Sequence, residues 1–114
     1  MKRRALAELE PHFVRESGGN RGSTHVDTFD TAQGISFLCP KCFDLNDGPT
    51  GTHSILIWFE GRGVADDTRP LARWAVSGSG LADLTLSPSI NLDAPGRATN
   101  GCDWHGWITG GIAR

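Results

Sequence analysis

Cys39-Pro-Lys-Cys42 and Cys102-Asp-Trp-His105 use all three cysteines of this chain and offer four soft ligands as two chelating pairs. A two-residue gap lets both side chains of a tight turn reach one ion, and tetrahedral zinc takes thiolate and imidazole ligands. Fifty-nine residues separate Cys42 from Cys102, so a metal held by both pairs closes most of the chain into one loop. Any fold has to bring the two pairs together. The expected site is therefore Cys39, Cys42, Cys102 and His105 around one Zn2+. Structural zinc contributes an apparent binding free energy on the order of 10 kcal/mol, comparable with the whole stability of a small domain. Four protein ligands leave no open position for water or substrate, so the site reads as a scaffold and no catalytic residue is assigned.

Two other metal chemistries use parts of this pattern. The second pair, followed by Gly106, resembles the second ligand box of Rieske proteins, but a Rieske centre also needs a CxH box about sixteen residues earlier. Three cysteines and one histidine can hold a different [2Fe–2S] cluster, which stays open as the alternative cofactor. A zinc nucleobase deaminase needs an HxE pair beside its PCxxC, and the chain has no HxE.

At 114 residues, net charge −2 and 38% hydrophobic content, the chain is sized for one domain over 1–114 with a modest core. Fifteen glycines and six prolines against one methionine and no tyrosine describe a turn-rich chain. The expected fold is mainly β (small α+β): a compact, zinc-ribbon-like antiparallel sheet stapled by the Cys3His site, with one or two short helices. Residues 5–9 suit a helical turn and 12–16 a strand. Asp27 or Thr28 can cap a short helix ending at Gln33, and 35–38 runs as a buried strand into Cys39. Residues 43–51 read as a loop, 52–59 as the central strand, and 73–76, 84–86 and 105–109 as further strands. Segments 1–10 and 17–23 are expected to be flexible.

The near-neutral balance supplies no global basic field for nucleic acid or an anionic membrane. No apolar run follows the basic Met1-Lys-Arg-Arg4, so neither a signal peptide nor an anchor is expected, and the location is expected to be cytoplasmic. Residues 60–70 form a polar, glycine-rich stretch long enough to suggest a functional loop. Beside it, Trp58 and Trp74 with Arg62, Arg69 and Arg73 provide the aromatic and guanidinium groups that a single-stranded nucleic-acid groove needs. With Glu60 they are the candidate ligand or partner surface. His53 opens the central strand and reads as an ordinary hydrogen-bonded histidine rather than one facing the metal or a pocket. Asp66, Asp67 and Asp83 read as solvated carboxylates.

Residues 34–42, Gly51-Thr-His53, Trp58-Phe-Glu-Gly-Arg62-Gly63 and Gly101-Cys-Asp-Trp-His105-Gly-Trp107 together resemble an uncharacterised family of small zinc-binding proteins encoded in bacteriophages and prophages, over nearly the whole length from Leu6. Members sometimes carry the label ammonia monooxygenase, which the absence of a membrane span and of a copper or di-iron ligand set contradicts. The resemblance implies a small phage-encoded structural-zinc module that binds a partner, expected to be a protein. Single-stranded nucleic acid is the alternative partner, and a [2Fe–2S] or zinc enzyme the alternative class.

Overall fold

The computed structural model describes residues 3–17, 22–92 and 102–114. In chain order the strands are β1 (Arg4–Ala5), β2 (His12–Glu16), β3 (Ser23–Val26), β4 (Gly34–Leu38), β5 (Ser54–Phe59), β6 (Arg73–Ser77), β7 (Thr85–Ser87), β8 (Ile90–Asn91), β9 (His105–Gly106), β10 (Ile108–Thr109) and β11 (Ile112–Ala113). One helix, α1 (Pro40–Asn46), lies between β4 and β5, and a 3-10 turn spans Leu6–Leu9. The protein is mainly β. Its principal sheet has six strands in the order β3-β2-β4-β5-β6-β7, flanked by a three-stranded sheet β1-β11-β10 and a ribbon of β8 with β9.

β4 and β5 form the centre because their sequences are apolar on both faces, which suits strands covered from two sides. Ile35, Phe37, Ile55, Ile57 and Phe59 belong to the main core, whereas Trp58 is buried on the opposite face and donates its indole N–H to the Arg69 carbonyl at 2.9 Å. Gly34 sits opposite Trp58 in the β4–β5 ladder, where an added Cβ would come within 2.4 Å of the Ile57 carbonyl oxygen and 2.8 Å of the Trp58 ring. Gly34→Ala should therefore lower stability by about 1–3 kcal/mol, the usual cost of overpacking. Urea unfolding measures it, and an unchanged midpoint would show that the ladder has slack.

The sheet departs from an all-antiparallel ribbon at one place. β6 runs parallel to β5, with Trp58 opposite Arg73 and Phe59 opposite Trp74. A parallel neighbour requires a crossover connection rather than a hairpin, and residues 60–72 supply it. This stretch, suggested by its sequence to be a functional loop, is pinned by hydrogen bonds from other parts of the chain. The Glu16 carboxylate accepts the Ala65 N–H at 3.2 and 3.3 Å and the Thr68 hydroxyl at 2.5 Å. Arg73 donates to the carbonyls of Ala65, Thr68 and Pro70 at 2.8, 3.2 and 2.8 Å.

Three further expectations are corrected. Residues 4–9 are ordered rather than flexible, and Leu6 and Leu9 are fully buried in the core; of 17–23, residues 18–21 lie outside the described residues. The helix expected before Gly34 is a turn closed by Ala32 N–H to Phe29 O at 3.1 Å. Gln33 cannot end a helix there because its backbone is already in the sheet, donating to Val14 O and accepting from Phe59 N, both at 2.8 Å. Finally, α1 occupies part of the stretch read as a loop. Pro40 at its first position is preset for helical φ, and Cys39 is its non-helical cap.

Candidate active site and metal centre

Cys39, Cys42, His53 and Cys102 converge, each offering one ligand atom, with all four atoms within 4.8 Å of one another. Cys39 directly follows β4, and the first turn of α1 brings Cys42 back beside it. His53 immediately precedes β5, and its carbonyl accepts the Cys39 N–H at 2.9 Å, fixing the two segments together. The Sγ of Cys102 lies 3.6 Å from that of Cys39 and 3.7 Å from that of Cys42. A tetrahedral ion with bonds of about 2.3 Å to sulfur has ligand edges of about 3.8 Å, so the sulfurs are already at metal spacing. The His53 Nε2 is buried and has no hydrogen-bond partner among the described residues. A buried imidazole nitrogen aimed at no protein donor is costly unless something fills the gap. Burial pushes the Cys39 thiol up to about 12, and burial also raises the Cys42 thiol. Without a cation these sulfurs stay protonated; with one, the donor set fits a soft metal.

His105 is not part of this group. The chain leaves Cys102 without a turn and enters β9, which pairs with β8 so that His105 faces Asn91 across the ribbon. At a rise of about 3.3 Å per residue, three residues carry the imidazole roughly 10 Å along the chain, whereas a CxxH chelate needs a turn. The histidine that converges with the three cysteines is His53, just before β5. Its sequence neighbours give no chelate spacing, so the sequence alone points to an ordinary hydrogen-bonded residue there.

His105 has a different partner. Its Nε2 lies 2.9 Å from the Ser89 Oγ, and its ring is stacked with Trp107 at 5.5 Å between centroids and 20° between planes. Ser89 sits in the short link between β7 and β8, with its backbone carbonyl held by the buried Trp74, whose indole Nε1 donates to it at 3.3 Å. Ser89 is half-buried and His105 is exposed. A groove of about 680 Å³ opens beside the imidazole, with Leu45, His105, Trp107 and Arg114 among its walls. Lys41 and Asp103, also in the groove wall, form an ion pair that raises the lysine and lowers the carboxyl. Arg4 pairs with Asp44 at 2.6 Å and lies over the Phe43 ring at 4.6 Å, tying β1 to the helix that carries Cys42. Ser89, His105 and the groove thus lie outside the group formed by Cys39, Cys42, His53 and Cys102.

The tryptophan and arginine surface does not assemble as a groove. Trp58 is fully buried and Trp74 is 4% exposed, so neither offers a stacking face. Arg62 donates to the carbonyls of Phe29 and Ala32 at 3.0 and 2.8 Å and lies over the Phe29 ring, while Arg73 is spent on the crossover. Arg69 and Glu60 are exposed, and the Glu60 N–H donates to the Trp74 carbonyl at 2.7 Å. These residues hold the crossover and the β6 end in place.

A serine hydroxyl at hydrogen-bond distance from an exposed histidine is the contact that nucleophilic hydrolases use. Residues 12–114 match the model of a family described as bacterial ubiquitination-like system serine protease (BubE). The chain belongs to the BubE family. No curated protein and no solved structure matches it. Membership overturns the expectation of a phage-encoded structural-zinc module that only binds a partner: the family is bacterial and is described by a proteolytic activity. The ammonia monooxygenase label likewise has no counterpart in the family's description. Among the described residues, no helix is long and apolar enough to cross a membrane.

Ser89 was missed by sequence reasoning because Ser87-Pro-Ser89 carries no nucleophile motif such as GxSxG. The one available signal is His105 itself, a histidine directly after Trp104 and followed by Gly106 and Trp107, although its CxxH spacing points to a metal.

Proposed function

We propose that this chain is a serine protease with Ser89 as nucleophile and His105 as general base, acting on a protein of a bacterial ubiquitination-like system. The observation that carries this reading is the 2.9 Å Ser89 Oγ to His105 Nε2 contact. It falls within the distance that a base needs to take a hydroxyl proton, and the family's description supports the reaction class.

In the first half-reaction the Ser89 oxygen bonds to the scissile carbonyl carbon as its proton moves to His105 Nε2. The tetrahedral adduct collapses when that proton passes to the leaving amine, and the acyl group stays on Ser89 as an ester. A water molecule then repeats the sequence with His105 again as base, returning Ser89 to its hydroxyl form. Trp107 restrains the ring plane from one side, and Trp74 fixes the backbone that presents the nucleophile.

Cys39, Cys42, His53 and Cys102 would hold Zn2+. The donor set has room for one tetrahedral ion, which favours zinc over a two-iron cluster with bridging sulfides. Four protein ligands make it a structural ion. Its contribution here is placement, because Cys102 lies only three residues before His105.

The test is a stopped-flow measurement with p-nitrophenyl acetate. Wild-type protein should release a burst of nitrophenol approaching one per chain, the kinetic mark of an acyl-enzyme. His105→Ala should lose the burst, with rates down about 10²–10⁴-fold, while its metal content stays that of wild type. A His105→Ala protein with a normal burst would remove the histidine from the mechanism, and one without metal would return it to the ligand set.

A further inference from the structure

The groove beside His105 lies on one definite side of the Ser89–His105 contact. His105 lines the groove, and Ser89 is not among its lining residues. In a serine hydrolase the base donates its proton to the departing amine, so the imidazole marks the leaving-group side. The groove is continuous with that side of the dyad.

Its chemistry is apolar. Among the described residues Leu45, Leu71 and Trp107 are the exposed large hydrophobics, at 74%, 52% and 48%, and Leu45 and Trp107 both line this groove. Most charged groups of the wall are paired, Lys41 with Asp103 inside it and Asp44 with Arg4 behind it. Among the described residues Arg114 is the lining charge left without an ion pair, so another cation would be repelled. Trp107 is fixed by backbone hydrogen bonds in both directions with Arg114, at 2.9 and 3.1 Å, and by its stack on His105. One wall is therefore an aromatic face held rigid against the catalytic base, and the other is a leucine on α1.

We propose that this groove is the leaving-group subsite, and that it selects a polypeptide with a large apolar residue, such as leucine or phenylalanine, immediately after the scissile bond. The inference rests on the Ser89–His105 reading and deepens it. Trp107 then acts both as a positioning residue for the imidazole and as the platform for that side chain, with Leu45 closing over it.

Partitioning of the acyl-enzyme tests this. Full-length protein is acylated with p-nitrophenyl acetate, and amino-acid amides compete with water for the ester on Ser89. The amine nitrogen attacks the ester carbonyl, His105 takes its proton, and N-acetyl amino-acid amide leaves as Ser89 regains its hydrogen. Leucinamide and phenylalaninamide should be acetylated at least about ten times more efficiently than glycinamide, as burial of one large apolar side chain allows, and lysinamide should do no better than glycinamide. Leu45→Asp and Trp107→Ala should each reduce the leucinamide to glycinamide ratio to within about twofold of unity. The ratio is internal to each variant, so a general loss of activity does not disturb it. Ser89-dependent acylation with no preference among the amides, or a preference that survives both variants, overturns the subsite while leaving the dyad standing. Absence of Ser89-dependent acylation takes down the dyad and the subsite together.

Discussion

Chelation of zinc from the protein should unfold it, and His53→Ala should do the same while His105→Ala should not. The expectation follows from where the four ligands sit: the end of β4, the first turn of α1, the start of β5 and the segment before β9. With zinc bound, these segments share an ion whose apparent binding free energy is about 10–16 kcal/mol, as large as the total stability of a typical domain at about 5–15 kcal/mol. Without it, the buried His53 nitrogen has no partner among the described residues, and the crowded sulfurs remain as neutral thiols. Binding requires the thiols to give up their protons, and burial pushes Cys39 up to about 12. Protons therefore compete with the ion, and metal should be released as pH falls. Elemental analysis with thermal unfolding measures both effects. One zinc per chain and a large drop in melting temperature on chelation are expected for wild type, with both lost in Cys102→Ser and His53→Ala. Retention of zinc by His53→Ala together with its loss from His105→Ala would contradict the ligand assignment.

Ser89→Ala should leave the fold and the metal site intact and remove catalysis. The hydroxyl is half-buried and bonds to the exposed His105, so losing the contact should cost about 1 kcal/mol or less of stability. Its effect on rate is of another order. Removing the nucleophile of a serine hydrolase lowers kcat by about 10⁶-fold, and because nucleophile and base act as a unit, the double variant with His105→Ala should be no worse than Ser89→Ala alone. Steady-state turnover of p-nitrophenyl acetate, with Ser87→Ala as the neighbouring control, measures this. Equal activity in Ser89→Ala and wild type would remove the residue from the mechanism, as would additive losses in the double variant.

The sequence carried the strands better than the site. Residues 12–16, 35–38 and 73–76 were legible because they are short strand-forming runs bounded by turn residues, and in 35–38 burial on both faces leaves a continuous apolar pattern. The parallel pairing of β5 and β6 was not legible, since it depends on how the crossover is pinned by Glu16 and Arg73 from elsewhere in the chain. Cys39, Cys42 and Cys102 were legible because cysteine spacing is a local signal. His53 was not, because it reaches the cluster through strand order alone, entering β5 beside the end of β4. The same limit hid the dyad. Ser89 and His105 are 16 positions apart and meet because β8 pairs with β9, a ribbon of two residues on each side that leaves no periodicity to detect. Trp58 and Trp74 show the reverse error, since aromatic residues next to arginines suggest a surface until burial is known. Trp74 proves to matter to the site from beneath, through the Ser89 carbonyl.

The central claim is that Ser89 is the residue that becomes acylated, and covalent trapping tests it most directly. Native, zinc-loaded protein is treated with a fluorophosphonate, which is attacked by an activated serine, and the adduct is located by peptide mass spectrometry. One adduct per chain on Ser89, prevented by His105→Ala or by prior denaturation, is the predicted result. No adduct on the folded protein, or an adduct on any residue other than Ser89, would contradict the account.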